Sequence, residues 1–572
     1  MEHQPWEGDE DRRFKGEFYT PKIWVDECHK YLDSALGQDW RETCIVWDPA
    51  AGAGALTRDY IFNNLLISTI RQEDVDYMVT QNVNPGSEKF VYDFLNPGEE
   101  DILGRRDSNC LPGVVEEKLR EAAKAGKRLV FLMNPPYGTA GSAGANGKSK
   151  KGIARTKVNE KMKRAGWGPS SQQLYMQFMY QCHRIAEEFG FKSNVIATLC
   201  PRLYLSGEGS TIFRKKFYQN YNFLKGFLFP ATEFDGIKAP WAVSFGVFES
   251  PGSTIQTEFD LLERKDGVIR KIGVKIPHDP GLDRASLWLK SRHGIKNLSP
   301  GTPIFSSGLN LSDPEQPRKI KNPLKEPFLA RHVIWCNDVD HGVKRCYIVS
   351  GESRRTSAPV VTPSSFSDIT VTFAARKLVD RTWVNDKDDI FAPLITLPGY
   401  DSWARECMIY TLFHPKNQCS SLRNITFNNK KWNIFNHFFF LTQEECLEAY
   451  KDHELLYKDC VDNPSQYLNL PDEIAYDPYF ATLELDVPSM HPIVSNFYYQ
   501  LKGLFYRSLE FREDFAKENP RFQLNAWDAG CYQLRFLWRE CLPEDYKDLL
   551  KSYRSLTEYL RPGIYDFGFL KK

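Results

Sequence analysis

The first 250 residues alternate short apolar runs with segments of helical periodicity, and this rhythm constrains the fold more than any other feature of the chain. It is the pattern of an α/β fold, in which helices cover a mostly parallel sheet. The helical periodicity is clearest over residues 116–125 and 172–189. We predict a doubly wound sheet of seven strands whose last two strands pair antiparallel, because their connection is too short for a helical crossover. The predicted strands span residues 45–48, 77–81, 90–93, 129–133, 194–200, 223–229 and 242–248.

The pattern of apolar and polar residues changes after a turn-rich stretch, SPGS, at residues 250–253. Beyond it, strand-like runs mix with Pro and Gly, at residues 257–263, 268–276 and 369–373. From about residue 489 the chain has helical periodicity again. We therefore predict an α/β catalytic domain, a mixed α+β region and a helical C-terminal region, over residues 1–250, 251–485 and 486–572.

Charge and composition limit the classes of function. The 74 Lys and Arg residues balance 74 Asp and Glu residues, so no overall field draws the chain towards nucleic acid or a membrane. A polyanionic partner must be met by a local basic surface. The 13 Cys residues include no C-x-x-C pair, so we read no zinc ribbon, disulfide framework or other metal site. Apolar runs fall short of the roughly 20 residues of a membrane span, which predicts a cytoplasmic protein without membrane contact.

The segment at residues 45–56 is the first of two that carry chemistry. It is a predicted strand that ends in Asp48, followed by a loop of small residues, including Gly52 and Gly54, that opens a predicted helix. Glycines let the backbone approach a ligand, and nucleotide-like ligands bind at this place in doubly wound sheets. The alternative for this segment alone is an ordinary turn between strand and helix.

The second segment is more specific, because a predicted apolar strand ends directly in Asn134, Pro135, Pro136 and Tyr137. The prolines fix the backbone and lack an N–H group. The side-chain oxygen of Asn134 and a proline carbonyl can therefore accept hydrogen bonds from one amino group, while the Tyr137 ring offers a stacking face. This combination suits a planar base that carries an amine.

Taken together, the two segments resemble the motifs of the N6-adenine class of amino-group DNA methyltransferases, which use S-adenosylmethionine and have a Rossmann-like seven-stranded sheet. The family's catalytic motif is similar to residues 134–137 and its cofactor loop to residues 48–54. An early motif is similar to GEFYTP at residues 16–21, and a short third motif to YDFL at residues 92–95. The order of these motifs resembles the gamma arrangement of type I and type IIG modification enzymes, over about residues 14–250.

The resemblance implies roles for individual residues. The cofactor would be held by Tyr19, Thr20, Pro21, Asp48, Ala50, Gly52, Gly54, Asp93 and Phe94. The target adenine would be held by residues 134–137 and stacked by Tyr137, with Phe234 as a second ring unless that side chain packs under the hairpin. The family usually has an acid after the second strand that binds the cofactor ribose. The stretch predicted there has none, which leaves Gln81, Asn82 or a misaligned Asp76.

A Gly-rich stretch at residues 138–147 separates the catalytic motif from a basic run. The basic residues are Lys148, Lys150, Lys151, Arg155, Lys157, Lys161, Lys163 and Arg164. We predict that this run contacts DNA phosphates beside the active site, the alternative being a solvated face. In the family, target recognition follows the catalytic domain, and donors suited to base edges occur there at Arg354–Arg355, Arg376–Lys377 and residues 417–424.

The sequence therefore predicts a site-specific adenine-N6 methyltransferase whose partner is double-stranded DNA. We expect modification without cleavage by this chain. A separate restriction nuclease or specificity subunit is a candidate further partner, whose existence the sequence leaves open. One alternative is the same chemistry on an RNA base or a protein glutamine, although those enzymes usually lack the Tyr-Thr-Pro motif. The other is a catalytically silent DNA-binding subunit, which the intact residues 134–137 disfavour.

Overall fold

The computed structural model describes residues 19–98, 109–138, 156–239, 241–294, 329–350, 359–427, 430–461 and 485–571. The chain divides into two compact units. The first unit comprises Met1–Pro280 together with Thr382–Asp388, so a short segment from far along the chain completes it. The second unit comprises Gly281–Arg381 and Asp389–Lys572.

The first unit is built around one large sheet. Its strands are β1 Ile45–Asp48, β2 Leu65–Thr69, β3 Glu88–Val91, β4 Leu129–Met133, β5 Asn194–Pro201, β6 Asn222–Pro230, β7 Ala242–Ser250, β8 Phe259–Lys265 and β9 Val268–Lys275. Within the described residues the strand order is β3-β2-β1-β4-β5-β7-β6-β8-β9. Strands β1 to β5 pair in parallel, and β7 runs antiparallel between β5 and β6, as predicted for the last two strands. Strand β8 pairs in parallel with β6, and β9 is antiparallel to β8.

Helices cover this sheet on two faces. The helices of the first unit are α1 Lys22–Leu36, α2 Trp40–Thr43, α3 Gln72–Thr80, α4 Gly113–Lys124, α5 Lys157–Arg164, α6 Leu174–Glu188 and α7 Thr211–Tyr218. On one face Phe131 of β4 packs with Leu119 of α4, and on the other Val130 packs with Trp24 of α1. Every side chain of β4 is buried, which explains its continuous apolar run.

Six of the seven predicted strands overlap observed strands, and the exception was wrong. Residues 77–81 lie at the end of α3, where Asp74, Val75 and Met78 are buried at helical spacing. The second strand is instead Leu65–Thr69, a five-residue run that the prediction passed over. The predicted count of seven was too low, because β8 and β9 extend the same sheet beyond the turn at residues 250–253.

The second unit is mainly helical. Its helices are α8 Ala285–His293, α9 Val339–Arg345, α10 Phe366–Leu378, α11 Tyr400–Phe413, α12 Gln443–Tyr450, α13 Glu454–Val461, α14 Pro492–Glu518, α15 Cys531–Cys541, α16 Pro543–Leu560 and α17 Gly563–Asp566. Its strands are β10 Ala330–Val333, β11 Tyr347–Val349, β12 Val360–Val361, β13 Leu422–Phe427 and β14 Lys430–Ile434. Strand β10 pairs antiparallel with β11 and β12, and β13 pairs with β14.

Two sequence predictions fall on this unit. The region from residue 486, predicted to be helical, contains α14 to α17. The strand predicted at residues 369–373 was wrong, because that β-branched run lies in α10, where Ile369, Val371 and Phe373 are all fully buried. Burial on every side removes the periodicity that separates a helix from a strand. None of the helices in the described part of the chain is long and apolar enough to cross a bilayer.

Candidate active site

The segment of residues 134–137 leaves the carboxyl end of β4, next to the loop that leaves β1. The amide Nδ2 of Asn134 donates to Thr20 Oγ1 at 3.0 Å, and the hydroxyl of Tyr137 donates to Asn134 Oδ1 at 2.8 Å. The Thr20 contact fixes which end of the Asn134 amide faces Tyr137. The backbone N–H of Leu174 donates to the Gly138 carbonyl at 3.0 Å, which ties the start of α6 to this segment.

One cavity opens on the Asn134 side of this segment, and we call it the Asn134 cavity. It is lined by Tyr19, Thr20, Pro49, Ala50, Ala51, Gly52, Ala55, Leu56, Thr69, Ile70, Arg71, Asp74, Asn134, Pro136 and Phe178. The predicted cofactor residues Tyr19, Thr20, Ala50 and Gly52 are therefore brought together with Asn134. Apart from Phe178, which lies in α6, the lining residues lie at or follow the ends of the neighbouring parallel strands β1, β2 and β4 or precede α1. Doubly wound sheets bind their ligands at this edge.

The loop after β1 differs from its prediction in one respect. Gly52 and Gly54 adopt positive φ angles of 51° and 79°, which favour glycine. A Cβ atom on Gly54 would lie only 3.1 Å from Met78 Sδ, so this glycine also lets α3 approach. The helix predicted to follow is instead a run of turns over residues 52–59, because two left-handed residues interrupt the helical path. The loop therefore has a backbone that a ligand can approach closely, but it does not lead directly into the N-terminus of a helix.

Asp48 lies beneath this loop and is fully buried. Its Oδ1 accepts a hydrogen bond from the Ala50 N–H at 3.2 Å, while Oδ2 accepts none from any described residue. Burial raises the pKa of the Asp48 carboxyl to about 8, against the opposing effect of the Ala50 hydrogen bond. A cation in the adjacent loop region would favour the charged form of this carboxyl.

Asp74 is an acid that follows the observed second strand, and it lies N-terminal to the residues 77–81 that were predicted to form that strand. It lines the Asn134 cavity from the first turn of α3, and its Oδ2 accepts a hydrogen bond from Thr69 Oγ1 at 3.0 Å. The predicted substitutes Gln81, Asn82 and Asp76 are exposed, and the described residues that line the cavity do not include them. The acid was missed because the second strand was placed after it.

Within the described part of the chain, the third predicted motif, at residues 92–95, does not line the Asn134 cavity and is connected to it through Phe178. Asp93 closes a turn, since its carboxylate accepts from the Leu95 N–H at 3.1 Å and from Asn96 Nδ2 at 2.8 Å. Phe94 is buried and stacks on Phe178, with ring centroids 5.0 Å apart. Among the described residues, those that line the cavity include Phe178 but not Pro21, Asp48, Gly54, Asp93 or Phe94. Phe178 lies in a stretch of α6 in which every residue from Leu174 to Cys182 is buried, so no local signal singled it out.

A second cavity opens on the other side of the catalytic segment, and we call it the Tyr137 cavity. It is lined by Tyr137, Gln173, Tyr175, Pro201, Arg202, Leu203, Trp241, Ala242, Asp386 and Lys387. The rings of Tyr137 and Trp241 meet edge to face, with centroids 6.0 Å apart. Phe234 is buried at 1% exposure and packs against Phe229 and Tyr137. The aromatic rings that line the cavity beside Tyr137 therefore come from Tyr175 and Trp241.

Thr382–Asp388 forms one wall of the Tyr137 cavity and is held by buried polar contacts. Arg202 forms an ion pair with Asp388 and also donates to the Val384 carbonyl. Lys275, at the end of β9, pairs with the other carboxylate oxygen of Asp388. All three charged side chains are at most 6% exposed, so the contact is a desolvated ion triad.

Part of the predicted basic run lies on α5. Lys161, Lys163 and Arg164 are exposed, while Val158 and Met162 bury the opposite face of the helix. Lys157 instead donates to the Pro97 carbonyl at 3.1 Å. The remaining predicted phosphate contacts, Lys148, Lys150, Lys151 and Arg155, lie outside the described residues, as do residues 16–18 of the first motif.

The candidate base-reading residues of the second unit have internal roles. Arg376 is fully buried and donates to the side chain of Asn337 at 3.0 Å. Lys377 donates to two carbonyls at the end of α9, and burial lowers its pKa to about 8. Arg423 pairs with Asp459 and Asp528. Arg354 and Arg355 lie outside the described residues.

Comparison with known proteins finds partial structural likeness only. No protein-family model matches the chain, and no curated protein matches it in sequence. A modification subunit assigned to a type I restriction enzyme of Vibrio vulnificus YJ016 is 17% identical with a TM-score of 0.29, over 45% of this chain and 49% of that chain. The DrdV–DNA complex is 13% identical with a TM-score of 0.33, over 52% and 36%.

The type IIG restriction endonuclease BpuSI is 17% identical with a TM-score of 0.27, over 47% of this chain and 32% of its own. The match thus spans less than half the length of each of these proteins. At these TM-scores the structural likeness supports no functional assignment, so we infer the function from the residues of the site.

Proposed function

We propose that this chain is an S-adenosylmethionine-dependent DNA methyltransferase that modifies the exocyclic N6 amine of adenine. The observation that carries the proposal is the placement of residues 134–137 between two cavities. The Asn134 cavity has a small-residue loop and an acid, whereas the Tyr137 cavity has three aromatic rings, those of Tyr137, Tyr175 and Trp241. A group-transfer enzyme needs such a layout, with donor and acceptor molecules meeting at one set of polar atoms.

The Asn134 cavity fits S-adenosylmethionine by the chemistry of its lining. Asp74 and Thr69 offer acceptors for the ribose hydroxyls, and the Phe178 ring offers an apolar face for the adenine. The backbone of residues 49–52 would lie along the centre of the cofactor. The Asp48 carboxyl beneath it suits a positively charged molecule. When bound, the cofactor supplies an electrophilic methyl group.

Asn134 and Pro135 activate the acceptor amine. The lone pair of an exocyclic adenine amine is delocalised into the ring, which makes this nitrogen a poor nucleophile. Asn134 Oδ1 accepts from Tyr137 and has a second lone pair with which to accept from one N–H of the amine. The carbonyl of Pro135 accepts the other N–H, and the two hydrogen bonds together direct the lone pair towards the Asn134 cavity. Thr20 acts as a positioning residue for Asn134. Catalysis is by orientation and electrostatics.

The adenine enters the Tyr137 cavity after it is flipped out of the duplex, which costs a few kcal/mol. Stacking on an aromatic ring offsets about 1–3 kcal/mol of that cost. Tyr137 provides one ring, as predicted from the sequence, and Trp241 is the better-placed partner because Phe234 is buried. This assignment replaces the base-stacking role that the resemblance implied for Phe234.

DNA binding is assigned to two parts of the chain. The exposed cations of α5 lie on the segment that follows the catalytic motif, and they contact phosphates near the flipped base. Recognition of the DNA sequence is assigned to the second unit, which contains most of residues 251–485. A separate nuclease or specificity subunit completes a restriction-modification system.

In the decisive experiment, the full chain is incubated with methyl-labelled S-adenosylmethionine in three parallel reactions, which contain plasmid DNA, total RNA or a protein extract. Nucleoside and amino-acid analysis then identifies the labelled product. We expect label in N6-methyladenine from DNA. Label confined to RNA or to protein glutamine, or none at all, would refute the proposal.

A companion variant, Asn134→Ala, tests the catalytic segment. We expect the rate of methyl transfer to fall by about 10³-fold, because the variant removes an acceptor of the reacting amine. Cofactor affinity should change by less than about threefold, since the other lining residues remain. The exposed Asn220→Ala on the same unit is the matched control and should behave as wild type. Transfer that survived in Asn134→Ala would reassign the catalytic motif.

A further inference from the structure

Tyr175 is placed at the Tyr137 cavity by the start of α6. It is the second residue of that helix, and the preceding backbone is fixed by the hydrogen bond from Leu174 N–H to the Gly138 carbonyl. The residue is 1% exposed and lines the cavity together with Tyr137 and Trp241. Its position therefore follows from the same segment that carries the catalytic asparagine.

The hydroxyl of Tyr175 accepts or donates no hydrogen bond among the described residues. Buried polar groups nearly always have a partner, and an exception at a cavity wall indicates a group that a ligand satisfies. Burial raises the pKa of Tyr175 well above its ordinary value, with a smaller contribution from the neighbouring Cys200 thiol. The hydroxyl therefore keeps its proton and remains available as a donor at any pH at which the protein works.

The hydroxyl also lies near the catalytic ring. Burial is the main cause that raises the pKa of Tyr137, and the Cys200 thiol, the Cys28 thiol and the Tyr175 hydroxyl add to it in that order. Tyr137 already donates its own proton to Asn134. Tyr175 is thus the phenol of this cavity whose donor is left for a molecule that enters it.

We propose that Tyr175 is a base-specificity residue, whose hydroxyl donates a hydrogen bond to a ring nitrogen of the flipped purine. This inference rests on the proposed function and adds to it a named contact to the ring. Adenine offers acceptor nitrogens at its edges, whereas the amine that is methylated offers only N–H donors to the protein. The contact from Tyr175 fixes the rotation of the base in its plane and so presents the amine to Asn134 and Pro135.

The variant Tyr175→Phe removes only the hydroxyl and keeps the ring that packs in the core. Once the methylated sites in plasmid DNA have been mapped, duplex oligonucleotides with one such site serve as substrate. We expect kcat/KM for the duplex to fall by about 10- to 100-fold, as for loss of one buried hydrogen bond to a substrate. Thermal stability and affinity for S-adenosylmethionine should match wild type. Tyr180→Phe, a buried tyrosine on the same helix, is the matched control and should leave kcat/KM unchanged.

Analogues of the target base identify the contact itself. Duplexes carry 1-deaza-, 3-deaza- or 7-deazaadenine at the target position and are tested with wild type and with Tyr175→Phe. If Tyr175 donates to one of these nitrogens, the corresponding analogue lowers kcat/KM in wild type but has little further effect in the variant. Strictly multiplicative losses with all three analogues would refute the contact.

The outcomes separate the two proposals. An active wild-type enzyme whose Tyr175→Phe variant retains full kcat/KM overturns this inference and leaves the proposed function intact. A wild-type chain that transfers no methyl group to DNA adenine overturns both. A variant with impaired cofactor affinity or lowered thermal stability would assign Tyr175 to packing and likewise overturn the base contact.

Discussion

The two cavities that flank residues 134–137 are built in different ways. The Asn134 cavity draws its loops from the ends of adjacent parallel strands and from the chain before α1, and eight of its 15 lining residues are Ala, Gly, Pro or Thr. The Tyr137 cavity draws large side chains from five separated parts of the chain, the last of them at residues 386–387. Under the proposed function, the cofactor would be held by loops at the ends of neighbouring strands, whereas the acceptor base would be held by side chains that long-range packing brings together.

The prediction with the largest expected effect tests the difference between the two cavities by removing the carboxylate of the ion triad. Asp388→Ala leaves Arg202 and Lys275 buried without their partner, which we expect to lower the free energy of unfolding by about 3–5 kcal/mol. Urea titration measures this change. In the folded variant, methyl transfer should fall further than cofactor affinity, because the affected wall belongs to the Tyr137 cavity. Glu117→Ala, exposed on α4, is the control, and equal stability of the two variants would contradict the assigned role.

The second test concerns the Asn134 cavity alone. Asp74→Asn replaces a charged acceptor by a neutral one and keeps the acceptor for Thr69. We expect affinity for S-adenosylmethionine to fall by about 10-fold, measured by calorimetry, because hydrogen bonds to charged groups are the stronger ones. Asp76→Asn, exposed on the same helix, should bind as wild type. A reversed result would restore Asp76 as the ribose ligand.

A third, smaller effect is expected at the rim of the site. Lys161→Gln and Lys163→Gln each remove one exposed cation of α5. Each variant should weaken DNA binding a few-fold and reduce the slope of log affinity against log salt by about 0.9. Fluorescence anisotropy over a salt series measures the slope. Lys124→Gln on α4 is the control, and an unchanged slope in the α5 variants would remove this helix from the DNA interface.

The last test concerns a pH dependence of stability that arises beneath the Asn134 cavity. Because the pKa of Asp48 is raised to about 8 in the folded protein, its protonated form stabilises the fold below the unfolded pKa of about 4. That contribution is lost as pH rises towards 8. The Tm of cofactor-free wild type should therefore fall relative to Asp48→Asn between pH 5 and 8. A difference in Tm that did not vary with pH would show that Asp48 does not titrate in this range.

How much of the molecule the sequence predicts also differs between the two cavities. The six predicted runs that overlap observed strands were recognisable because apolar and β-branched residues dominate them, and Asn134 to Tyr137 follow the end of β4 as the sequence indicated. The motif residues that line the Asn134 cavity, such as Thr20 and Gly52, were also readable, because a backbone loop needs particular residue types at fixed spacing. Asp74 was missed through one misplaced strand.

The residues of the Tyr137 cavity could not have been predicted in this way. Trp241, Tyr175 and Asp386 have no shared spacing, and only the folded sheet and the ion triad bring them together. Phe234 is an example of a residue whose role local sequence could not settle. Its loop was located correctly, but Phe234 is buried, and a ring that lines the cavity belongs instead to Trp241, seven residues later. Long-range contacts of this kind depend on tertiary packing, which overrides local pattern.

The segment at Thr382–Asp388 has a consequence for how the protein is made. Domains generally fold as units while the chain emerges from the ribosome. The first unit cannot complete its ion triad or the wall of its acceptor cavity until Asp388 has been synthesised, after residues 281–381 of the second unit. A nascent chain that ends at Pro280 would carry the loops of the Asn134 cavity but lack one wall of the Tyr137 cavity. Under the proposed function, the binding site for the target base would be complete only after synthesis has passed well into the second unit.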